Sequence, residues 1–236
     1  MRVSILIPCY NEERTIYELL SRVVAQDLSS LGLEREIIVV DDGSTDSSRQ
    51  RIERFIEDHP GESVKLISYS PNRGKGYAIR KALDVASGDI ILIQDADLEY
   101  DPSDYRELLK PIVSGVAPVV YGSRWIAKEM PISGPLYAVG GWLENKFLRT
   151  LYRTNLTDIA TGYKVFRAEI IRSLNLECEG FEFCPEVTAK LLNRGVRIIE
   201  VPIKYRPRKK REGKKINWKD FFKAIYTIAR VRLKRL

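Results

Sequence analysis

Asp95 and Asp97 are the residues whose type and spacing most clearly point to chemistry. They follow residues 90–93 (IILI), which have the length and β-branching of a buried strand. In an extended segment residues i and i+2 point to the same side, and open α/β sheets bind ligands beyond the carboxyl ends of their strands. Two carboxylates there would suit Mg²⁺ or Mn²⁺ held jointly by the protein and a substrate diphosphate. A solvated turn is the alternative, since Asp-x-Asp sequences are common by chance.

The composition excludes several classes of protein. The chain has 236 residues, of which 44% are hydrophobic, enough for one large domain or two small ones. A single histidine, His59, excludes histidine-based zinc chemistry and Ser-His-Asp triads. Cysteines without paired spacing favour a reducing compartment. We find no signal peptide and no apolar stretch of about 20 residues, so we expect a cytoplasmic protein, soluble or peripheral on the membrane.

Positive charge is concentrated near the carboxyl end of the sequence. The net charge is +7, and residues 204–215 are rich in lysine and arginine, with Glu212 as their one acid. Such a block attracts phosphate groups on a nucleotide, on nucleic acid or on anionic lipid. A solvated basic segment is the alternative.

The elements that would position Asp95 and Asp97 alternate between strand and helix. In the first half, the predicted strands are residues 3–8, 36–40, 64–69 and 89–94, and the predicted helices are residues 12–24, a segment around Ile52 and Phe55, and 77–86. The second half is less regular, with strands predicted at 118–122, 163–166 and 196–201 and helices at 102–113, 135–152 and 184–192. Strands separated by helices require parallel crossovers, so the predicted class is α/β, with a doubly wound, mainly parallel sheet.

The domain organisation follows from the absence of any repeat, linker or sharp boundary in the sequence. We predict one catalytic domain over residues 1–216, with a nucleotide-binding half (1–100) and an acceptor half (101–216). Residues 217–236 are predicted to form a C-terminal basic amphipathic helix, with Trp218, Phe222 and Ile225 among its apolar residues. Such a helix can bind a membrane surface or pack on the domain, and periodicity alone leaves both alternatives open.

Several motifs occur in an order that resembles the family 2 glycosyltransferases. They are residues 7–12 (IPCYNE), 40–46 (VDDGSTD), 72–76 (NRGKG) and 95–97 (DAD). The second half resembles the dolichyl-phosphate mannose synthase branch, through residues 122–124 (GSR), 158–167 (DIATGYKVFR), 181–183 (FEF), 200–203 (EVPI), and Arg208 with 212–216 (EGKKI). The resemblance implies a metal-dependent, inverting enzyme with the GT-A fold, which is a Rossmann-like sheet with flanking helices.

The resemblance also implies roles for residues of the nucleotide-binding half. The base and ribose would be held by Pro8, Tyr10, Glu12, Val40 and Asp42. Asp95 and Asp97 would hold Mg²⁺ or Mn²⁺, and Ala96 would pack beneath the diphosphate. Glu99 stands where mannose synthases of the family often have glutamine, which makes it a candidate third metal ligand.

In the acceptor half, Arg124, Arg208 and Lys215 match family positions that meet phosphate. The resemblance implies a polyprenyl-phosphate acceptor, whose oxygen is already anionic near neutral pH and needs no general base. Asp158 is the candidate base if the acceptor is instead a hydroxyl. The donor we expect is GDP-mannose, with UDP-glucose or UDP-N-acetylglucosamine as alternatives used by relatives of this branch.

The expected partners are the nucleotide-sugar donor, the polyprenyl-phosphate acceptor and a membrane surface, with no nucleic acid. If the C-terminal helix does not bind lipid, the chain would need a membrane-protein partner or a soluble acceptor. A nucleotidyltransferase is an alternative hypothesis. Such an enzyme would ordinarily have a glycine-rich signature directly after its first strand, where this chain has residues 8–12 (PCYNE). A non-catalytic binding module would explain the basic charge and leave the paired aspartates without a purpose.

Overall fold

The computed structural model describes residues 1–126, 135–208 and 218–234, and within them seven strands form one sheet. The strands are β1 (Arg2–Cys9), β2 (Glu34–Asp42), β3 (Val64–Tyr69), β4 (Ile90–Ile93), β5 (Val119–Ser123), β6 (Lys164–Arg167) and β7 (Ile198–Pro202). Their order across the sheet is β3-β2-β1-β4-β6-β5-β7. β6 is antiparallel to β4 and β5, and the other neighbouring strands are parallel. The predicted α/β class with a mainly parallel sheet is confirmed.

Helices cover both faces of the sheet. Those of the described residues are α1 (Ile16–Val24), α2 (Ser48–Asp58), α3 (Lys75–Val85), α4 (Tyr105–Val113), α5 (Pro135–Tyr152), α6 (Ala168–Arg172), α7 (Phe183–Asn193) and α8 (Trp218–Leu233). Successive strand residues point to opposite faces, so Ile5 and Ile7 share a core cluster with α1 and α2, whereas Leu6 shares one with α3 and α7. Burial on both faces explains why β1 and β4 have nearly continuous apolar sequences.

The predicted helix 12–24 is wrong at its beginning, because α1 begins only at Ile16. The backbone N–H of Asn11 donates to Ser44 Oγ (3.0 Å), and that of Glu12 donates to Ser48 Oγ (2.6 Å). These bonds hold residues 11–12 in a loop against the loop after β2, and Asn11 adopts a positive φ of 49° that no helix would tolerate. The short helix α6 was not predicted, because five residues are too few to show a periodicity.

The sheet order brings several loops to one edge. β1 lies between β2 and β4. The chain passes from β1 to β2 on one side and later crosses from β3 to β4 on the other side of β1, which leaves a crevice at the carboxyl ends of these strands. Because β6 is antiparallel to its neighbours, its amino end and the preceding loop lie at the same edge, with Lys164 opposite Ile93 and Tyr121. β5 and β7 also end there, with Ser123 opposite Pro202. The segments after the six strands that run in the same direction and the segment before β6 therefore lie at one edge of the sheet.

The C-terminal helix α8 has two different surfaces. Residues of its later turns, including Ile228 and Val231, are buried, and the helix contacts α5 and α7. Trp218, Phe222 and Tyr226 are more than half exposed, at 67%, 61% and 68%. Part of the helix thus packs on the domain, as one of the two alternatives predicted, while its first turns present aromatic rings to solvent. In the described part of the chain, no helix has the length and apolar character needed to cross a membrane.

Candidate active site

Asp95 and Asp97 lie just beyond the end of β4, in a turn held by the buried side chain of Gln94. Gln94 accepts hydrogen bonds from the hydroxyls of Tyr105 and Tyr163, both at 2.8 Å, and donates to the carbonyl of Asp95 at 2.9 Å. The strand thus ends at a fixed residue directly before Asp95, and both aspartates follow it at the carboxyl edge of the sheet.

Asp95 forms an ion pair with Lys75, a residue that sequence reasoning left out of the site. Lys75 begins α3 between two glycines, and a Cβ at Gly74 would lie only 2.6 Å from the carbonyl oxygen of Glu179. Gly74 also has a φ of 103°, so its place in this loop requires glycine. Burial opposes the charge of Lys75, but the neighbouring Asp95 carboxylate outweighs it and raises the pKa of the amine. Lys75 is therefore a cation at neutral pH.

Arg208 follows β7 and reaches three carboxylates across the site. Its Nη2 lies 2.6 Å from Asp97 Oδ2, its Nη1 lies 3.0 Å from Glu12 Oε2, and its Nε lies 3.7 Å from Glu99 Oε1. Its backbone N–H donates to Glu99 Oε1 at 2.7 Å. Part of the basic block thus lies directly against the paired aspartates, as expected for groups that meet in one site.

The electrostatics of Asp97 indicate crowded negative charge. Burial, together with the carboxylates of Asp95 and Glu99, raises the pKa of Asp97 to about 7, although Arg208 opposes the shift. A divalent cation would relieve this repulsion, and carboxylate oxygens are the ligands that Mg²⁺ and Mn²⁺ prefer. Gly162 leaves room beside Asp95, because a Cβ there would overlap the carboxylate. The residues present fit a divalent cation shared with a diphosphate.

Glu99 does not suit the role of third metal ligand that the resemblance implied. Its Oε1 accepts the backbone N–H of Arg208, and its Oε2 accepts the hydroxyl of Tyr205 at 2.8 Å. Over residues 1–126, 135–208 and 218–234, no three acidic, histidine or cysteine side chains are grouped as a metal site requires. Glu99 instead fastens the segment after β7 to the loop after β4, a contact between residues 106 or more positions apart.

The predicted nucleotide-binding residues lie around the ends of β1 and β2. Asp42 Oδ2 accepts the side-chain N–H of Asn72 and the backbone N–H of Gly74, each at 2.7 Å, so this carboxylate shapes the loop that carries Lys75. Val40 is fully buried in the core cluster of α3, so its side chain does not face the crevice and its place among the nucleotide-binding residues stays a prediction. Any contact from this residue is limited to its backbone.

The other predicted residues of this half border the crevice. Pro8 and Tyr10 are half-buried. Glu12 is buried and bound to Arg208, and its Oε2 also accepts the hydroxyl of Thr15 at 2.8 Å. Ala96 is 4% exposed and its carbonyl accepts the same hydroxyl at 3.2 Å, so its small side chain packs at the floor of the site.

Arg124 and Asp158 form a buried, two-pronged ion pair beside this cluster. Arg124 Nε lies 2.7 Å from Asp158 Oδ2 and Nη2 lies 2.6 Å from Oδ1, while the Arg124 backbone N–H also donates to Oδ2 at 3.0 Å. Glu200 accepts the backbone N–H of Asp158 at 2.8 Å. The Asp158 carboxylate is fully buried and committed to Arg124, which disfavours its alternative role as a general base. Lys215 lies outside the described residues.

Two residues of the site, Lys75 and Tyr205, were missed by sequence reasoning. Lys75 lies in the NRGKG motif, which resembles a phosphate-cradling loop without Walker spacing, and that motif was the available signal. Tyr205 binds Glu99, and its ring lies 5.1 Å from the guanidinium carbon of Arg124, so it links the two clusters. No local pattern distinguishes it from an ordinary aromatic residue.

Comparison with known proteins identifies the family. Residues 4–174 match the model of glycosyl transferase family 2, so the chain belongs to that family. It is 28% identical over 235 residues to a dolichol-phosphate mannosyltransferase of Pyrococcus furiosus, covering 98% of this chain and 64% of that protein. It is 29% identical over 219 residues to an undecaprenyl-phosphate mannosyltransferase of Micrococcus luteus, covering 91% and 87%. The chain thus spans less than two thirds of the Pyrococcus relative.

A solved structure shares the fold. Glucosyl-3-phosphoglycerate synthase of Mycobacterium tuberculosis, in a complex with Mn²⁺, UDP and glucosyl-3-phosphoglycerate, matches with a TM-score of 0.65 at 20% identity. The match covers 99% of this chain and 79% of that one. The GT-A architecture implied by the resemblance is confirmed.

Proposed function

We propose that the chain is an inverting glycosyltransferase that moves a hexose, most simply mannose from GDP-mannose, to a polyprenyl phosphate. The observation that carries the proposal is the meeting of Asp95 and Asp97 with Lys75 and Arg208 at the carboxyl edge of the sheet. Carboxylates for a metal ion and cations for phosphate oxygens are what a nucleoside diphosphate leaving group requires. The names of the Pyrococcus and Micrococcus relatives support the acceptor class and the sugar.

On this proposal, Asp95 and Asp97 hold Mg²⁺ or Mn²⁺ and the loops of Pro8, Tyr10 and Asp42 hold the nucleoside. When bound, the cation would offset the charge that develops on the departing diphosphate. Ala96 leaves space for the diphosphate because its side chain is small.

The acceptor attacks the anomeric carbon from the side opposite the diphosphate, which inverts the configuration. A phosphate oxygen is already anionic, so the burial of Asp158 against Arg124 is no obstacle to this reaction. Arg124 and Arg208, with Lys215 as the predicted third cation, reduce the repulsion between the acceptor phosphate and the donor diphosphate.

An open cavity of about 770 Å³ near Arg124 supports a large amphipathic acceptor. It is lined by aromatic, basic and polar side chains, including Trp125, Trp142, Lys146 and Arg149. Trp125 is the neighbour of Arg124 in sequence, and Thr157, which also lines the cavity, is the neighbour of Asp158. We further propose that the chain works peripherally on the cytoplasmic face of a membrane, held by the exposed aromatic rings of α8, by a membrane-protein partner, or by both.

Transfer assays with labelled donors test the proposal. The full chain is incubated with Mn²⁺, short-chain dolichyl phosphate, and GDP-mannose, UDP-glucose or UDP-N-acetylglucosamine in turn. We expect a mannosyl phospholipid of inverted configuration, and no product from Asp97→Ala, whose circular dichroism remains that of a folded protein. Transfer from a UDP-sugar but not from GDP-mannose would refute the choice of donor and leave the reaction class unchanged. Transfer only to a soluble acceptor, release of pyrophosphate from a nucleoside triphosphate, or an active Asp97→Ala enzyme would refute the proposal.

A further inference from the structure

The paired aspartates are already neutralised in part by the chain itself. Lys75 is bound to Asp95, and Arg208 is bound to Asp97 and Glu12 and lies close to Glu99. The cluster therefore contains four carboxyl side chains and two cations, so acidic groups are in excess. A divalent cation would add positive charge to a cluster in which acidic groups outnumber basic ones.

Burial gives these ion pairs energetic weight. The six side chains are between 8% and 19% exposed, so solvent screens them much less than surface pairs. A metal ion that binds Asp95 and Asp97 approaches two positive charges and competes with them for the same oxygen atoms. Metal binding to the free chain is thus opposed by Lys75 and Arg208.

A diphosphate removes this opposition. Its oxygen atoms can accept hydrogen bonds from the ammonium group of Lys75 and the guanidinium group of Arg208. Both cations could then leave the carboxylates, which would be free to hold a metal ion. Arg208 is suited to such a change, because among the described residues its buried Nε has no hydrogen-bond partner. Its backbone stays fixed by the N–H bond to Glu99, so only the side chain has to move.

We propose that Lys75 and Arg208 are internal counter-cations of the metal site, which exchange the carboxylates for the donor diphosphate when a divalent cation binds. The metal and the nucleoside diphosphate then bind as a unit, each strengthening the other. The inference rests on the proposed function for the identity of the ligand. It deepens that function, because Lys75 and Arg208 would weaken binding of the metal ion alone and strengthen binding of the nucleoside diphosphate.

The test measures binding of Mn²⁺ by calorimetry to the full chain, first without nucleotide and then with GDP or UDP. Lys75→Met and Arg208→Met remove a charge and keep an apolar stem. We expect each to bind Mn²⁺ without nucleotide about tenfold more tightly than the unmodified chain, within the usual range of coupling between sites. In the presence of Mn²⁺, each should bind the nucleoside diphosphate more weakly. Lys81→Met is the matched control, because Lys81 lies on the same helix but pairs with the exposed Asp84.

Unchanged or weaker Mn²⁺ binding in both variants overturns the inference, since a site supported by these cations would lose affinity. Thermal unfolding of each variant identifies loss through misfolding, and Arg208→Gln then replaces an unfolded Arg208→Met with a side chain that keeps a polar end. The inference and the proposed function can fail separately. If the unmodified chain transfers sugar but neither variant binds Mn²⁺ more tightly than the unmodified chain, only the inference is refuted. If the variants bind Mn²⁺ more tightly but the unmodified chain transfers no sugar, the counter-cation role is supported and the proposed reaction is refuted.

Discussion

Arg124 and Asp158 illustrate how single residues at this site serve structure and chemistry together. The guanidinium group binds the carboxylate at two points, and the carboxylate is fully buried. One face of the same guanidinium lies over the ring of Tyr205. On the proposed function, Arg124 would therefore offer charge to the acceptor phosphate only from the position in which Asp158 holds it.

Removing one member of this pair should cost stability as well as activity. Arg124→Gln leaves the buried Asp158 carboxylate without its charged partner, and we expect the free energy of unfolding to fall by about 3–5 kcal/mol in urea denaturation. The double variant Arg124→Gln, Asp158→Asn should regain most of this loss, because no isolated buried charge remains. Lys81→Gln, in an exposed pair with Asp84, is the control and should change stability by about 0.5 kcal/mol or less. Equal losses in the single and double variants would argue against this account.

At the scale of elements, Glu36 of β2 joins β1, β2 and β3, which lie at the end of the strand order away from the acceptor half. Its carboxylate accepts hydrogen bonds from Ser4 of β1 (2.6 Å), Lys65 of β3 (2.7 Å) and the backbone of Ser87 (2.9 Å). Burial opposes its ionisation, but the bonds from Lys65, Ser4 and Ser87 outweigh burial and lower the pKa to about 2. The charged form of Glu36 is thus bound more tightly in the folded chain than in the unfolded one.

This shift predicts a specific dependence of stability on pH. Because the folded pKa is lowered from 4.5 to about 2, the stabilisation is complete above about pH 4.5 and is lost as the pH falls towards 2. Glu36→Gln should reduce the free energy of unfolding by about 2 kcal/mol at pH 7, measured in urea, and the difference from the unmodified chain should shrink in acid. Glu34→Gln, on the same strand but with a side chain that is 76% exposed, is the control and should show little effect. A difference that is constant from pH 7 to pH 3 would contradict the assignment.

At the scale of the whole molecule, one sheet unites the two predicted halves, since β6 of the acceptor half lies directly beside β4 of the nucleotide half. The boundaries of the predicted halves stay a prediction. Exposed aromatic and aliphatic side chains collect on α5 and α8, where Trp142 and Trp218 are 53% and 67% exposed. Lysines accompany both rings, with Lys146 4.7 Å from the Trp142 ring and Lys219 5.9 Å from the Trp218 ring. Aromatic rings beside lysines suit the interface of an anionic membrane.

Binding to liposomes tests this surface. The triple variant Trp218→Ser, Phe222→Ser, Tyr226→Ser should lose most of its binding to vesicles that contain anionic lipid, with little change in Tm, because these side chains are exposed. Binding by the unmodified chain should weaken as salt rises. Ile228→Ser, on the buried face of the same helix, should instead lower Tm. Undiminished vesicle binding by the folded triple variant would exclude this surface as the anchor.

The sequence by itself determined those parts of the site that depend only on residues close together in the sequence. A continuous apolar run followed by Asp95 and Asp97 predicts a buried strand with two carboxylates at its end, because strand geometry repeats every two residues. The alternation of strands and helices likewise predicts the wound sheet, because parallel strands need crossovers. Local spacing is sufficient for both conclusions.

Only the tertiary structure decided which charges meet. Arg208 lies 111 residues from Asp97, and Lys75 reaches Asp95 from the beginning of another helix. Their contacts depend on the order of the strands and on the antiparallel insertion of β6 between β4 and β5, which no local pattern encodes. Glu99 shows the same limit, because its carboxylate is occupied by a segment that follows β7. Residue types and spacing predict which groups can bind a metal ion, whereas long-range packing determines which cations and hydrogen-bond donors each of them already contacts.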